Sequence, residues 1–282
     1  MAAYNTKMFE SIRDALTKND NKIGERLKDF LRPEVGNTYV VRLLPNITDP
    51  SKTFFHYYNF GWKSFLDGKN INVTSLQTWE QPDPIAEERY RVYNVGTEAE
   101  KAKIKAIRRS ENWMVNVFVV SDSKSPENNG KVKVLRFGKQ LGKIIFDAIE
   151  GEGAEDFGPR VFDMGADGCS LMIKVEKQGD YPTYVSSKFK MPKALEDMPP
   201  EKIENVYKST LDLTTYVVSK SYVELERLLN DTYHCTNPDY DVKDSKEPAV
   251  TVVTATAKSV APTALTEEDN DKVIQDLLNE LT

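Results

Sequence analysis

The stretch NWMVNVFVVSDSKSPENNGKVKVLRFGKQL, from Asn112 to Leu141, contains the features that decide the fold. Two runs, 113–120 and 131–137, are rich in β-branched and aromatic residues, which is typical of strands. The polar segment SPENNG (125–130) between them predicts a turn, and a helix is expected from about residue 139 to 150. One face of a strand such as MVNVFVV must be buried, so Phe118 is predicted to lie in the core.

Further strands and helices are predicted on both sides of this hairpin. Strands are expected at 38–45, 54–62, 71–76 and within 169–189, and Asp67-Gly68 predicts a hairpin turn. Helical patterns occur at 4–31, in a charged insertion at 80–108, and at 219–233 after a serine cap, whereas 191–210 reads as a proline-broken connection. The predicted fold class is α+β and mainly β: an OB-fold, a five-stranded barrel, with helical insertions.

Charge is distributed unevenly along the 282 residues. The net charge is -6, but residues 266–282 hold six acids and one base, a balance of -5, which leaves -6 - (-5) = -1 for the rest. The segment from Thr236 onward is rich in Thr, Ala, Val and Pro and lacks a core pattern. We therefore predict three parts: an N-terminal helical arm (1–32) that can self-associate, a core (33–235), and a flexible linker with a disordered acidic tail (236–282).

Several classes of protein are disfavoured by the sequence. No secretory signal and no apolar run long enough to span a membrane is recognised, and the cysteine usage suits a reducing cytoplasm. The two cysteines and two histidines, Cys169, Cys235, His56 and His234, are too scattered for a zinc site. No nucleotide-binding, hydrolase or metalloprotease motif occurs, so we expect no catalytic residues, no metal and no cofactor.

Basic and aromatic residues alternate in four separate segments, which is the composition of a groove for single-stranded nucleic acid. Such a groove stacks bases on aromatic rings and places Lys and Arg along the phosphates. Each segment alone could equally be core or solvated surface; their recurrence favours binding. The candidate DNA-binding residues are Arg89, Tyr90, Arg91, Tyr93, Arg108, Arg109, Trp113, Arg136, Phe137, Lys139, Lys143, Lys174, Tyr181, Tyr184 and Lys188.

Several stretches resemble the single-stranded DNA-binding proteins of T-even-like bacteriophages, the gene-32-type family. The most specific is PENNGK leading to RFGK within 126–139; VVRLLPN, GADGCSLMIKVEKQGDYPTYVSSKF and the terminal DNDKVIQDLLNEL also match. The resemblance implies an OB-fold core that binds single-stranded DNA and a basic N-terminal arm for cooperative assembly. It also implies an acidic tail, here 266–282, that contacts replication, recombination and repair proteins and competes for the groove.

Two features of the chain depart from that family. The T-even zinc subdomain would align with about 58–86, but Asp83 and Ala86 stand where a CxxC pair would be, so packing must replace the metal. The candidate core residues there are Trp62, Ile71, Trp79, Ile85 and Tyr90. The N-terminus lacks the family's compact basic motif, because Lys7, Arg13 and Lys18 are dispersed.

The sequence and the resemblance together predict a non-enzymatic single-stranded DNA-binding protein. It would coat and protect DNA with little sequence preference during phage replication, recombination and repair, in the cytoplasm of the infected bacterial host. Two alternatives on the same fold remain open at this point: a regulator that binds single-stranded RNA, and a scaffold for protein interactions.

Overall fold

The computed structural model describes residues 26–236 of the chain. The predicted N-terminal arm, except for its last residues, and the predicted linker and acidic tail lie outside the described residues. The strands are β1 (Phe30–Leu31), β2 (Thr38–Leu44), β3 (Phe54–Lys63), β4 (Asn70–Thr74), β5 (Arg108–Asp122), β6 (Val132–Gly138), β7 (Leu171–Lys174), β8 (Glu176–Gln178), β9 (Tyr181–Thr183) and β10 (Lys188–Phe189). The α-helices are α1 (Pro84–Val95), α2 (Glu98–Ile104), α3 (Lys139–Glu150), α4 (Pro200–Lys208) and α5 (Tyr222–Leu229).

The long strand β5 organises the main sheet of eight strands. The strand order is β1-β6-β5-β2-β7-β10, and the β3–β4 hairpin joins through β3 to β5. Along one edge, β5 pairs with β3 through its first half and with β2 through its second half; β6 pairs along the other edge. The predicted β5–β6 hairpin and the helix that follows it, α3, are confirmed.

The mixed α and β class is confirmed, but the predicted five-stranded barrel is not. Hydrogen bonds between strands do not close the sheet within residues 26–236, and it has eight strands rather than five. The difference arises at β5, whose 15 residues are long enough to serve two different partner strands in succession.

The first core lies between the main sheet and α3. Alternate residues of β5, such as Val115, Val117 and Val119, point into it together with Leu141 and Ile145 of α3. Period-two alternation in the strands and helical spacing in α3 therefore bury one face of each element. Phe118 points to the opposite face of β5, where it is also buried, as predicted.

Asp122 holds the turn between β5 and β6. Its carboxylate accepts hydrogen bonds from the side chains of Asn37 and Asn128 and from the backbone N–H groups of Lys124 and Ser125. Burial alone would raise the pKa of Asp122, but these hydrogen bonds outweigh it and hold the pKa below its ordinary value. The turn closes at Gly130, whose φ of +75° is a conformation that favours glycine.

A second core forms where the helical insertion packs on the far end of β3. Phe60 and Trp62 of β3 contact Ile85 and Val92 of α1, and Leu225 of α5 completes the cluster. Of the candidate core residues, Trp62 and Ile85 are buried and Ile71 and Trp79 are partly buried. The prediction for Tyr90 was wrong: its side chain is 68% exposed on the solvent face of α1.

Asp83 joins the start of α1 to the preceding loop inside this second core. It is 2% exposed; one carboxylate oxygen accepts from Ser75 Oγ and Leu76 N at 2.6 and 2.8 Å. The other oxygen accepts from the N–H groups of Ile85 and Ala86 at 2.9 and 3.1 Å, which caps the helix. Packing and one buried carboxylate thus hold this region together.

The outer face of β2 is covered by the segment predicted as an irregular connection, which contains α4. Beneath it lies Arg42, which is fully buried and donates to Ser170 Oγ and to the carbonyl oxygens of Asp163 and Lys193. Burial lowers the pKa of Arg42. Within residues 26–236, none of the helices combines the length and apolar character needed to cross a membrane.

Candidate nucleic-acid interface

The first half of β5 distributes the predicted residues between two faces of the sheet. Trp113 lies opposite His56 of β3 and Phe137 of β6, whereas Met114 lies opposite Phe55 and Arg136. Because successive side chains of a strand point to opposite faces, Arg109 shares a face with Trp113, and Arg108 shares a face with Arg136.

The Arg109 face, which comprises His56, Tyr58, Arg109, Glu111, Trp113 and Lys139, carries stacked aromatic rings beside cations. The Arg109 guanidinium lies 3.9 Å from the centre of the Tyr58 ring. His56 stacks on Trp113 at 4.9 Å with an interplanar angle of 18°. Such an arrangement can stack bases and hold phosphates at the same time.

Glu111 is the one acid of this face, and it pairs with two of its neighbours. Its carboxylate oxygens lie 2.8 Å from His56 Nε2 and 3.3 Å from Lys139 Nζ. Since the Lys139 side chain is 78% exposed, this ion pair is a weak one that a phosphate can replace.

The predicted residues of α1 occupy three different environments. Arg89 is half-buried, donates to the Ile107 carbonyl and lies 5.6 Å from the Tyr93 ring centre. Burial lowers the pKa of Arg89, and the charge of Arg109 acts in the same direction. Arg91 makes a two-pronged ion pair with Glu88 and also contacts Glu100, which raises its pKa. Tyr90 and Tyr93 are exposed.

Phe137 was a candidate for DNA contact, but the structure buries its side chain. Its ring is 4% exposed and belongs to the first core, where it stacks on Trp113 at 6.0 Å. It therefore supports the half-buried Trp113 from below and presents no free ring face to a ligand. Gly142 of α3 faces both rings, and Lys143 next to it is exposed.

The opposite face of β3 and β5 forms an open cleft, which residues 216–218 and 220 border on one side. Arg136 is exposed there, with its guanidinium 5.6 Å from the Tyr57 ring centre. Asn116 exchanges two hydrogen bonds with the backbone of Leu211, which precedes this segment in the chain. Arg108 lies on this face of the strand, at its exposed start.

Four predicted residues lie away from both faces of this half of β5. Lys174 ends β7 and forms an ion pair with Glu176 at 2.7 Å, and Lys188 is exposed on β10. Tyr181 is 72% exposed at the start of β9. Tyr184 packs against the first core, and burial raises its pKa.

Several residues of these two surfaces were not among the sequence candidates. His56 and Tyr58 complete the Arg109 face, and Tyr57 and Asn59 line the cleft. All four belong to FFHYYNFGW (54–62), which was recognised only as an aromatic strand. Its alternation indicates two faces, but the register with β5 determines which residues meet Arg109.

Within residues 26–236, no three His, Cys, Asp or Glu side chains are grouped so that they could hold a metal ion. Both cysteines are free, with Cys169 buried and Cys235 exposed. Burial raises the pKa of the Cys169 thiol.

Comparison with known proteins gives a consistent family assignment. The family described as "gp32 DNA binding protein like" matches residues 35–234. The chain is 26% identical over 194 residues to the single-stranded DNA-binding proteins of Enterobacteria phage T4 and Enterobacteria phage T2. Each alignment covers 67% of this chain and 62% of the relative, so the match spans about three-fifths of those proteins.

Proposed function

The chain belongs to the gp32 DNA-binding-protein-like family, and we propose that it binds single-stranded DNA through the first half of β5 and the elements around it. The observation that carries this proposal is the Arg109 face, where a guanidinium stacked on Tyr58 adjoins the His56–Trp113 pair. Bases stack on such rings with about 1–3 kcal/mol each, and every base has a face that can do so. Binding is then largely independent of sequence.

We assign the phosphate contacts to cations whose charge is accessible. Arg109, Lys139 and Lys143 serve the Arg109 face, and Arg108 and Arg136 serve the opposite face. Arg91 is a weaker candidate, because Glu88 and Glu100 already neutralise it. A bound DNA single strand that continues to the β7–β10 edge would also contact Lys174, Lys188, Tyr181 and Tyr184.

The remaining parts of the proposal follow from the family and the charge distribution. We propose that the β2–β5–β6–β7 sheet with α3 belongs to an OB-type core (33–235), that residues 1–32 serve as an N-terminal arm, and that residues 236–282 serve as a linker and acidic tail. Residues 266–282 recruit replication and recombination proteins, and the arm allows self-association along DNA. The protein acts without catalysis in the cytoplasm of an infected bacterium, where it coats and protects single strands.

Fluorescence anisotropy of a labelled 16-nucleotide oligo-dT, with unlabelled competitors, tests this function. We expect saturable binding that oligo-dT displaces far better than duplex DNA and better than oligo-rU of the same length. If oligo-rU competes more strongly than oligo-dT, the RNA-binding alternative replaces the proposal. If nothing binds at low salt, the scaffold alternative replaces it.

A matched pair of variants tests the location. Arg109→Gln removes an accessible cation, and Arg91→Gln removes one that is already paired with acids. We expect Arg109→Gln to weaken binding by roughly tenfold, the loss of one charge-assisted contact of about 1.5 kcal/mol. Arg91→Gln should weaken binding much less than Arg109→Gln does. Equal effects of the two substitutions would argue against the Arg109 face.

A further inference from the structure

We propose that Glu111 makes the Arg109 face select among bases, favouring those whose pairing edge carries an amino group over thymine. The inference rests on the proposed function, because it concerns a base that is stacked on this face. It goes beyond that function, which assigns the affinity to ring stacking and phosphate contacts that every nucleotide can make.

Glu111 lies between the two ring surfaces of the Arg109 face. It stands directly opposite Tyr58 in the register of β3 with β5, and Trp113, two residues further along β5, stands opposite His56. The His56 and Tyr58 rings meet edge to face, with their centres 4.7 Å apart. Side chains that stand directly opposite each other in an antiparallel pair are in contact range. A base that stacks on either ring therefore brings its edge within reach of the Glu111 carboxylate.

The carboxylate and the rings beside it are accessible from solvent. The side chains of Glu111 and His56 are 24% and 39% exposed, and Tyr58 is half-buried. Arg109 and Lys139, the cations of this face, are exposed as well. A nucleotide can thus reach the rings, the carboxylate and a cation at the same time.

Glu111 keeps hydrogen-bonding capacity beyond its two present contacts. One carboxylate oxygen lies 2.8 Å from His56 Nε2, and the other lies 3.3 Å from Lys139 Nζ. An ionised carboxylate has about four acceptor positions, so about two remain free. A phosphate that replaces Glu111 at Lys139 would release one more, while His56 still fixes the direction of the carboxylate.

A group that can only accept hydrogen bonds distinguishes the bases by their edges. Guanine presents two adjacent N–H donors on its pairing edge, and cytosine and adenine each present an amino group. Thymine presents a single N–H between two carbonyl oxygens, and these oxygens repel a carboxylate. Stacking and phosphate contacts are available to all four nucleotides, so a preference of this kind comes from Glu111.

Two other roles of Glu111 would produce no such preference. If Glu111 only orients His56, glutamine can replace it, because the amide oxygen also accepts a hydrogen bond. If Glu111 only repels phosphates, it weakens the binding of every strand to the same extent. Base selection is therefore measurable separately from both roles, with strands that differ in their bases alone.

Competition between strands of 5-methyl-dC and dT isolates the pairing edge. Both bases carry the same methyl group, but only 5-methylcytosine has an amino group. Uniform 16-nucleotide strands place the same base at Glu111 whatever the register, and slightly alkaline conditions keep methylcytosine strands from folding on themselves. We would measure the affinity of the full chain for both strands by fluorescence anisotropy and express it as the ratio of 5-methyl-dC to dT affinity.

This ratio is compared between the wild type and Glu111→Gln, so that differences in stiffness between the two strands cancel. We expect the ratio to be about three- to tenfold higher in the wild type, the effect of one hydrogen bond at a site open to water. Glu98→Gln, which replaces an exposed acid of α2 that pairs with Lys101, should keep the wild-type ratio. Glu111→Ala also removes the charged acceptor, so the test holds even if glutamine impairs folding.

An equal ratio in the wild type and the Glu111 variants overturns the inference, even if both strands bind the variants more tightly. The same decrease in Glu98→Gln would overturn it too, because the effect would then follow net charge and not position. Binding of both strands with an unchanged ratio refutes base selection alone. Absence of binding to either strand by the wild type refutes the proposed function, and the inference with it.

Discussion

Replacing Asp83 with alanine should destabilise the second core strongly. The carboxylate accepts four hydrogen bonds, two of them from Ser75 and Leu76, which are 0% and 3% exposed. Loss of the helix cap costs about 1 kcal/mol. Each of the two buried donors left without a partner costs about 1 kcal/mol or more. We therefore expect Asp83→Ala to lower the free energy of unfolding by about 3 kcal/mol.

Urea unfolding followed by tryptophan fluorescence measures this effect. Trp62 and Trp79 belong to the second core, and a Trp113→Phe background removes the third tryptophan, so the signal reports on this region. Asp83→Asn should lie between the wild type and Asp83→Ala, because an asparagine oxygen can still cap α1. Asp180→Ala, at an exposed position, serves as the matched control.

A loss below about 1 kcal/mol for Asp83→Ala, similar to that of the control, would refute this reasoning. It would mean that water satisfies the donors of Ser75 and Leu76 at little cost, and that apolar packing alone holds the insertion. A chelator should leave the urea midpoint of the wild-type protein unchanged, since hydrogen bonds to the Asp83 carboxylate hold this region together. A chelator-dependent decrease would contradict that assignment.

Three more predictions concern stability and binding. Arg42→Met should lower the free energy of unfolding by about 3 kcal/mol in chemical denaturation, because buried Ser170 and two backbone carbonyls lose a charged donor; an unchanged midpoint would contradict the role of this arginine. The lowered pKa of Asp122 contributes stability that is fully present above its ordinary value of 3.8 and is lost as the pH falls through the folded-state pKa. Acid unfolding of Asp122→Asn should therefore depend less on pH below about 4 than that of the wild type, and parallel curves would refute this. Arg109→Gln should reduce the slope of log K against log salt by about 0.7, the value for one phosphate contact to a single strand, and an unchanged slope would exclude such a contact.

Local patterns predicted most elements of the fold correctly. Strands β5 and β6 can be predicted from the alternation in 113–120 and 131–137 and from the turn between them. Helix α3 can be predicted from the helical spacing of its apolar residues. The pattern could not show that β5 serves two partner strands along one edge, because pairing between distant strands is a tertiary property. For the same reason the predicted five-stranded barrel differs from the eight-stranded sheet that the structure shows.

Composition predicted basic and aromatic residues for the candidate surface, but the register of β3 with β5 determines which of them lie together. Arg109 and Trp113 were recognised, but their partners Tyr58 and His56 depend on the alignment of β3 with β5. Phe137 has the same residue type as a stacking platform, yet its burial follows from the approach of α3, which sequence spacing does not reveal. The prediction that Tyr90 lies in the core was wrong in the opposite sense, because its large ring is exposed on the surface of α1.

Intrinsic tryptophan fluorescence during titration with poly-dT, at 50 mM and at 500 mM salt, reports on DNA binding at the Arg109 face. Trp113 is half-buried under His56 on the Arg109 face, so a strand bound there should change its emission. We expect a saturating change at low salt that weakens steeply at high salt, because binding releases counterions from the phosphates. No change at either salt would contradict it and would assign the basic and aromatic residues to ordinary solvated surface.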